Sequence, residues 1–416
     1  MFNDFTKMML GSLGLEEPWY IEGAEFKAEE KALHIYIGIR DNAEIACPRC
    51  GSATRRYGYE PSERIWRHGD CLFYPTYVHC QRPRIQCPHC GVIQVNAPFE
   101  RKNSRFTLMF EGYAMLLMAD MPVLRVAKLL RCDEKSLRSI LHYWVQDAVE
   151  KMDLSEVSSL AIDETSCRRG HNYVTVILDA IKRSVIDVEE GRGKDTVEKF
   201  RKKLETKGGK AEQVTSVTSD MSTSYVPAIA ENFPEAEHTI DKFHVKQTLT
   251  KALDAVRKEE QKQAEDKRTL FRGRYLFMKP QGKLTEEQAE QIQELSKSYP
   301  KTGRAYRILS ALDDFYACQT MEEAKEAFSS LYSWMRRCRL APMKKAAQTL
   351  CDHKEKILNF FSERLTNAIS EGFNSLFQAA KRKARGYGTM RGFIDMIYLI
   401  AGKLNLAVPN PIAIFH

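Results

Sequence analysis

Apolar residues recur with two different periods in the first part of the chain. From Ala32 to Ile39 apolar and polar residues alternate, which predicts a half-buried β-strand. Between Arg105 and Lys151 the spacing becomes three and four residues, which predicts helices over 106–119 and 123–130 and a third helix capped by Asp133. The apolar face of that third helix comprises Leu137, Ile140, Leu141, Trp144 and Val145.

The opposite face of the predicted third helix is polar and basic. It carries Lys135, Ser136, Arg138, Ser139 and His142. Two helices joined by a short turn, with a polar and basic second helix, favour a helix-turn-helix that reads the major groove of DNA. On this pattern alone, a small helical bundle without affinity for DNA is the alternative.

Downstream of residue 158, short apolar runs alternate with helical patterns. The predicted strands cover 160–165, 173–180, 184–189, 214–220 and 236–240, and the predicted helices cover 195–207 and 225–232. This is the element order of a ribonuclease-H-like sheet, in which the ends of the first and fourth strands lie side by side. Residues 245–364 show no strand pattern, so we expect an α/β core that is interrupted by an all-helical insertion.

Three acidic residues stand where these elements end or pack. Asp163 lies in the first strand of the core, Asp220 ends the fourth, and Glu371 falls in a later helical pattern. Each of them alone could be a strand-end or cap residue. Converging carboxylates repel one another unless divalent cations are bound, so the trio predicts a metal site. Glu164 follows Asp163 and is expected on the opposite face of the strand, outside that site.

Polar residues surround the expected metal site. The helix that carries Glu371 continues into Asn374, Lys381, Arg382, Arg385 and Tyr387, which suit a DNA phosphate backbone or, alternatively, a solvated helix end. The fifth strand ends at Asp241, a good N-cap for the next helix. His244 fits either an ordinary first-turn residue or a group that donates a proton or holds a phosphate.

Two CPxCG turns lie within the first hundred residues. They contain Cys47 with Cys50 and Cys87 with Cys90, and each turn directs two thiolates at one ion, which predicts a four-cysteine zinc site. The gap between the turns exceeds the roughly 15–20 residues of a simple ribbon, so an elaborated ribbon is expected. Cys71, His79 and Cys80 are weaker alternative ligands, and unrelated buried cysteines are the remaining alternative.

Composition narrows the class of protein only slightly. The 416 residues suffice for two to four domains, and a net charge of +8 permits nucleic-acid binding without requiring it. The 11 cysteines, four of them in CxxC pairs, favour metal ligation in a reducing cytoplasm. Neither an apolar run of roughly 20 residues nor a secretory signal pattern is evident, so no membrane association is expected.

The combined motifs resemble the ISL3 family of bacterial insertion-sequence transposases over nearly the whole chain. The specific matches are CPRCG and CPHCG, AIDETS at Asp163, TSDMS at Asp220, DKFH at Asp241, and EGFN with RGYG after Glu371. The resemblance implies a DDE transposase whose three carboxylates hold two magnesium or manganese ions. It implies catalytic roles for Asp241 and His244, because their Asp-x-x-His motif is similar to one in related transposases.

The family resemblance also implies partners and a location. We expect one structural zinc ion, binding to terminal inverted repeats and target DNA, at least a homodimer on paired ends, and a bacterial cytoplasmic protein that joins the nucleoid when it binds DNA. The expected domains are a zinc-binding domain (1–100), a helix-turn-helix domain (101–152), two catalytic segments (153–244 and 365–416) and a helical insertion (245–364). Alternative functions are a zinc and helix-turn-helix transcription regulator, or a ribonuclease-H-like nuclease without strand transfer.

Overall fold

A computed structural model describes residues 2–166, 173–264, 266–362 and 389–409. The chain divides into two compact units. The first unit consists of Met1–Lys151 with Leu404–His416, and the second is Met152–Lys403. Each unit is described by itself below.

The first unit begins with a helix followed by two small sheets. Its opening elements are α1 (Phe2–Leu13), β1 (Trp19–Lys27), β2 (Ala32–Ile39), β3 (Glu44–Ala46), β4 (Ala53–Tyr59), β5 (Arg64–Cys71), β6 (Tyr74–Cys80), β7 (Pro83–Cys87) and β8 (Gly91–Gln94). One sheet has the order β1-β2-β6-β5 and the other β3-β4-β7-β8. Side chains from both sheets share one apolar cluster, in which Ile35, Trp66 and Ile85 are fully buried. The predicted strand over residues 32–39 is confirmed as β2.

Three helices complete the first unit, and the sequence predicted all three. They are α2 (Leu108–Asp120), α3 (Val123–Leu130) and α4 (Glu134–Glu150). The cap of α4 is confirmed, because the Asp133 carboxylate accepts a hydrogen bond from the backbone N–H of Ser136. The five apolar residues predicted for its inner face are buried.

A buried carboxylate joins α2 to α4. Glu111 of α2 is completely buried and accepts hydrogen bonds from the side chains of Arg101, Ser104 and Trp144. The Trp144 indole N–H lies 2.6 Å from Oε2 of Glu111. This network fixes α4 on α2 through polar contacts as well as through apolar packing.

Strand β5 is hydrogen-bonded to the segment that leads into α2. The backbone N–H of Arg67 donates to the Arg105 carbonyl at 2.8 Å, and that of Thr107 donates to the Arg67 carbonyl at 3.0 Å. Thr107 is the N-cap of α2, and its hydroxyl lies 2.8 Å from Nδ1 of His68. Burial, together with the charge of Arg67, lowers the pKa of His68 to about 4. The sheet and the helices of this unit are therefore joined by backbone bonds.

The second unit contains a mixed five-stranded sheet. Its elements are β9 (Ser159–Ser166), β10 (Tyr173–Asp179), β11 (Ser184–Glu190), α5 (Lys194–Thr206), β12 (Ser216–Ser219), α6 (Tyr225–Asn232) and β13 (Glu237–Ile240). The order is β11-β10-β9-β12-β13, with β9, β12 and β13 parallel and β10 antiparallel to both of its neighbours. The predicted neighbouring of the first and fourth strands is confirmed. Strand β12 starts two residues later than predicted, after a 3-10 turn at Ala211–Gln213.

Helices α5 and α6 cover one face of this sheet. Leu160 and Ile162 of β9 point into the apolar cluster that these helices form with Phe200 and Tyr225. Residues with the same parity along β9 therefore face α5 and α6, and residues of the other parity, including Asp163, face away from them.

Seven α-helices lie in the described part of residues 242–362. They are α7 (Lys242–Gln263), α8 (Lys267–Arg272), α9 (Glu286–Ser298), α10 (Pro300–Ala317), α11 (Met321–Arg337), α12 (Ala341–Asp352) and α13 (Lys354–Leu358). Their shared core includes Leu249, Phe277, Phe315 and Met343. The description resumes at residue 389 with α14 (Met390–Ala401), which packs on β11. The Tyr398 hydroxyl of α14 accepts a hydrogen bond from the backbone N–H of Val188 at 3.1 Å.

Candidate active site and DNA-binding surfaces

Three aspartates lie at the same level of three neighbouring parallel strands. Thr218 of β12 pairs with Ala161 of β9, so continuing this register by two residues puts Asp220 level with Asp163. Ser219 pairs with Ile240 of β13, which puts Asp241 level with Asp220. The carboxyl ends of parallel strands form one edge of a sheet, where ligand sites of α/β proteins commonly form.

Local hydrogen bonds orient the first two of these carboxylates. Asp163 accepts from the backbone N–H of Glu164 at 2.8 Å, and Asp220 accepts from that of Ser222 at 2.9 Å. Both side chains are half-buried. A β-branched strand that ends in an aspartate therefore places its charge at the rim of the sheet, where a cation or a polar substrate can reach it.

Asp241 caps α7 and holds His244 one turn into that helix. One Asp241 oxygen accepts from the backbone N–H of Phe243 at 3.0 Å, and the other lies 3.3 Å from Nδ1 of His244. The predicted N-cap role is thus confirmed. Burial alone would lower the pKa of His244, but the hydrogen bond to Asp241 and the charges of Asp241, Asp163 and Asp220 outweigh burial and raise that pKa. Each of the three aspartates is therefore close enough to act on this imidazole.

A cavity of about 440 Å³ opens beside this edge of the sheet. Its lining comprises Glu164, Arg192, Asp220, Met221, Ser222, Thr223, Ser224, His244, Gln247, Thr248 and Lys251. Glu164 lines this cavity together with Asp220, and its predicted position on the face opposite Asp163 is confirmed. Its side chain points toward Tyr225 of α6, and Asp220 lies beyond the end of β12, where the cavity reaches that second face as well.

The surroundings of Glu164 favour its neutral form. Burial raises its pKa, and the negative charge of Asp220 raises it further, against a hydrogen bond from the Tyr225 hydroxyl. That hydroxyl also lies 2.7 Å from Oγ1 of Thr175. The carboxylates of Glu164 and Asp220 are thus close enough to repel each other, and a bound cation would relieve that repulsion.

The cavity also has cationic and hydroxyl-bearing walls that sequence reasoning missed. Arg192 stands between β11 and α5, with its guanidinium 4.7 Å from the centroid of the Tyr173 ring. Lys251 donates to Oε1 of Gln247 at 2.8 Å. His244, Gln247 and Lys251 recur at spacings of three and four residues, a signal that could have identified this polar face of α7.

The other residues that were predicted for the catalytic region belong to a segment that the structure does not describe. Glu371, Asn374, Lys381, Arg382, Arg385 and Tyr387 lie outside the described residues.

In the first unit, the four predicted cysteines converge. The sulfur atoms of Cys47, Cys50, Cys87 and Cys90 all lie within 4.8 Å of one another. Gly51 and Gly91 follow the two knuckles with φ of +75° and +77°, which explains why glycine stands at both places. Four thiolates bound to one tetrahedral zinc at about 2.3 Å would lie roughly 3.8 Å apart, so the donor set and its spacing fit this ion.

Protons are unevenly distributed among these thiols. Hydrogen bonds from Ser52, followed by one from Cys87, lower the pKa of Cys50 to about 6. The hydrogen bond with Cys50, followed by burial, raises the pKa of Cys90 to about 12. The cluster therefore already favours one thiolate at neutral pH, and a bound cation would favour the others.

Among the described residues, the weaker candidate ligands Cys71, His79 and Cys80 lie outside the cluster of four cysteines. The His79 ring lies 2.8 Å from Nδ1 of His34 and 2.8 Å from Oε2 of Glu63. Cys80 is buried, and burial raises its pKa to about 12.

The outer side of α4 presents the predicted polar residues. Lys135 and Ser139 are exposed, and Ser136, Arg138 and His142 are half-buried. Arg138 forms an ion pair with Glu134 one turn earlier. A second cavity, of about 290 Å³, lies at the start of this helix and is lined by Arg101, Asn103, Ser104, Arg105, Phe106, Asp133, Lys135, Ser136, Ser139 and Ile140. Cations and hydroxyl groups at a helix start are suited to DNA phosphates.

Within the described part of the chain, no helix has the length and apolar character needed to cross a membrane.

Comparison with known families identifies three segments of the chain. Residues 160–397, more than half of the sequence, match a family model described as a transposase. Residues 95–145 match the helix-turn-helix domain of transposase family ISL3. Residues 43–90 match the zinc-finger of transposases IS204, IS1001, IS1096 and IS1165. The predicted zinc ribbon and helix-turn-helix are thereby confirmed.

Individual relatives are similar along nearly the whole chain. The transposase for insertion sequence element IS1557 of Mycobacterium tuberculosis is 24% identical, over 95% of this chain and 95% of the relative. The transposase for insertion sequence element IS1001 of Bordetella parapertussis is 26% identical, over 92% of this chain and 95% of the relative.

These similarities favour a DNA transposase with a DNA-binding helix-turn-helix over a transcription regulator. A regulator would need the zinc ribbon and the helix-turn-helix alone, whereas the matched transposase segment also contains Asp163, Asp220 and His244. The chain belongs to the ISL3 family of transposases.

Proposed function

We propose that the sheet of the second unit is a ribonuclease-H-like core that performs metal-dependent DNA cleavage and strand transfer. Asp163, Asp220 and Glu371 would be the acidic ligands. The observation that carries this proposal is the shared level of Asp163 and Asp220 on adjacent parallel strands. The helices within residues 245–364 would form an insertion between the catalytic segments 153–244 and 365–416.

The donor set fits hard divalent cations. Carboxylate oxygens are the ligands that Mg²⁺ and Mn²⁺ prefer, and the raised pKa of Glu164 supports an excess of negative charge at this edge. Two such ions, when bound, would activate the attacking hydroxyl group and neutralise charge on the leaving oxygen.

The residues of the cavity would position the DNA strand. Arg192 and Lys251 would attract the phosphates on either side of the reacting bond. Asp241 would orient His244 through Nδ1, which leaves Nε2 to exchange a proton with the substrate or to hold a phosphate oxygen. The polar residues from Asn374 to Tyr387 would extend this contact along the phosphate backbone.

The first unit would deliver the ends of the element to this site. One structural zinc ion held by the four cysteines would stabilise the domain within residues 1–100. The helix-turn-helix, within residues 101–152, would read the terminal inverted repeats through Lys135, Ser136, Arg138, Ser139 and His142. Pairing of two ends requires at least a homodimer.

Cleavage of a labelled duplex that carries one terminal repeat tests the proposal. Asp163→Asn, Asp220→Asn and Glu371→Gln keep the side-chain shape but remove the charge of a metal ligand. We expect each variant to bind the duplex and to cleave it several orders of magnitude more slowly, because nucleophile activation and leaving-group stabilisation fail together. Mg²⁺ or Mn²⁺ should support cleavage by the wild type, and Ca²⁺ should support binding only.

Glu205→Gln is the matched control. This glutamate is exposed on α5 and pairs with Arg201, so the change removes a carboxylate of the same unit that does not line the cavity. Its cleavage rate should stay normal, since exposed ion pairs contribute little to stability. A near-normal rate in any member of the acidic trio would remove that residue from the site. Cleavage without joining of the freed 3′ end to target DNA would favour the simple nuclease.

A further inference from the structure

The hairpin of β5 and β6 ends in two exposed apolar residues. Cys71 pairs with Tyr74, so Leu72 and Phe73 alone form the loop. Their side chains are 82% and 90% exposed, the largest values among the exposed large apolar residues of the described chain. A loop tip with no packing role normally carries small polar residues. This tip instead presents a leucine and a phenylalanine to its surroundings.

The backbone of the tip is strained for these residue types. Leu72 has φ of +49° and Phe73 has φ of +69°. Two-residue hairpin loops with two positive φ angles strongly prefer Asn-Gly, because branched or bulky side chains disfavour this conformation. Residues that hold such strain without a packing contact are candidates for function.

The turn of the helix-turn-helix holds the tip in place. Arg131 lies between α3 and α4 and donates from Nη2 to the Phe73 carbonyl oxygen at 2.8 Å. The same guanidinium binds the Asp70 carboxylate, which Arg67 also binds. The backbone N–H of Cys71 donates to Oγ1 of Thr76 at 3.2 Å. The two apolar side chains are therefore displayed beside the DNA-binding turn.

The apolar surface continues below the tip. The ring of Tyr74 meets that of Phe26 edge-on, with their centroids 4.8 Å apart. Phe26 and Tyr74 are 50% and 44% exposed. The tip is thus the end of a rigid apolar projection whose base is fixed by ring packing and whose side is fixed by Arg131.

We propose that Leu72 and Phe73 form a wedge that inserts between base steps next to the DNA segment read by α4. We choose DNA as the partner because Arg131 binds the tip to the turn of a helix-turn-helix. This motif places its turn and second helix against the duplex. Leucine and phenylalanine are residues that architectural proteins insert between base pairs, where they unstack a step and bend the duplex. The wedge adds deformation of the DNA to the proposed cleavage function and does not depend on the metal site.

The variant Leu72→Asn with Phe73→Gly tests the wedge in the full-length protein. Asn-Gly suits the observed backbone, so the fold should persist and the melting temperature should not fall. The probe is a duplex from the end of the encoding element, with 2-aminopurine at successive places and a donor and acceptor dye at its ends. Without added Mg²⁺, wild type should raise 2-aminopurine fluorescence at one step and shorten the distance between the dyes.

The variant should lose both signals and bind the duplex roughly 5- to 150-fold more weakly, as expected when one stacked aromatic contact is removed. The slope of log Kd against log salt should stay unchanged, since no phosphate contact is removed. Leu72→Met with Phe73→Trp keeps apolar bulk and should keep both signals. Ile181→Asn, which changes an apolar side chain that is 67% exposed in the turn between β10 and β11, is the matched control and should behave as wild type.

Two results would overturn the proposal. Wild-type unstacking and bending by the Asn-Gly variant would exclude insertion of these side chains. A change of oligomeric state in sedimentation, with unstacking and bending unchanged, would assign the tip to contacts between copies of the chain. Because the assay reads binding in the absence of cleavage, failure of the wedge and failure of the proposed catalytic trio are separate outcomes.

Discussion

Glu111 offers a sharp test of how the helix-turn-helix is held together. The proposed change is Glu111→Gln, which keeps the volume and replaces one carboxylate oxygen with an NH₂ group. Oε1 accepts from Arg101 Nη2 at 2.9 Å and from Ser104 at 2.6 Å, and Oε2 accepts from Arg101 Nε at 2.9 Å and from Trp144 at 2.6 Å. In either orientation of the amide, its NH₂ group takes the place of an oxygen that accepts two hydrogen bonds, so two donors lose their acceptor and face a third donor.

The geometry sets the expected size of the effect. The Glu111 side chain is 0% exposed, so water does not reach the position of the lost acceptor, although the Arg101 side chain is 14% exposed. Removing one partner of a buried ion pair costs about 3–5 kcal/mol of unfolding free energy. Because glutamine keeps the shape and part of the hydrogen bonding, we expect about 3 kcal/mol, the lower end of that range.

Urea denaturation followed by tryptophan fluorescence measures this loss. With a slope of about 1–3 kcal/mol per molar urea, the midpoint of the first-unit transition should fall by at least about 1 M. Glu134→Gln is the control, because Glu134 forms a half-exposed pair with Arg138 and its loss should cost less than about 1 kcal/mol. Combining Glu111→Gln with Trp144→Phe should cost less than the sum of the single changes. Equal midpoints for the two glutamine variants would refute the structural role of Glu111.

Three further expectations concern the same unit. Cys87→Ser should lower the bound zinc from about one ion per chain to none, measured by elemental analysis, because zinc contributes about 10–16 kcal/mol to such small domains; full occupancy would refute the assignment. Arg138→Ala should reduce the preference for terminal repeats over random DNA by about 1–3 kcal/mol in competition binding; equal weakening on both would indicate a phosphate contact. Folding lowers the pKa of His68 from 6.5 to about 4, so between these pH values the unfolded chain binds a proton at His68 that the folded chain does not. The free energy of unfolding should therefore fall by roughly 3 kcal/mol as the pH drops from 6.5 to about 4. His68→Gln should flatten the dependence of the urea midpoint on pH there, and an unchanged slope would contradict the burial of a neutral imidazole.

Local signals explain why much of the fold could be predicted. The bounds of α3 follow from Pro122 before it and the polar turn after it, and the start of α4 follows from the cap at Asp133. The sequence predicts that residues 245–364 are helical but does not predict the bounds of helix α8, at Lys267–Arg272, because these six mostly polar residues show no apolar period. Strand β4 alternates between exposed and less exposed residues, but its less exposed positions are Thr54, Arg56 and Gly58, so no apolar period marks this strand in the sequence.

Some residues of the candidate site could likewise be predicted from the sequence, and others could not. Asp220 and Asp241 could be identified as candidates because each follows a short β-branched strand, and Asp163 because it follows an apolar run within β9. The strand order then fixes their level. Glu164 and Arg192 could not, because their place in the cavity depends on where the chain turns after Ser219 and on contacts between distant segments. The alternation along a strand predicts the face of the sheet to which a side chain points. It does not predict that the cavity at the edge of the sheet is reached from both faces.

The backbone bonds between β5 and the start of α2 have a consequence for the DNA itself. Because Arg67 is bonded to both Arg105 and Thr107, the zinc-bearing module and the helix-turn-helix cannot rotate freely about a linker. The proposed DNA contacts of helix α4 and of the Leu72–Phe73 tip must therefore keep a fixed helical phase on the duplex. Inserting about 5 base pairs between the two contacted segments, half of a turn of roughly 10–10.5, would place them on opposite sides of the DNA. The ends of the element are therefore expected to be sensitive to changes in the spacing between the two contacted segments.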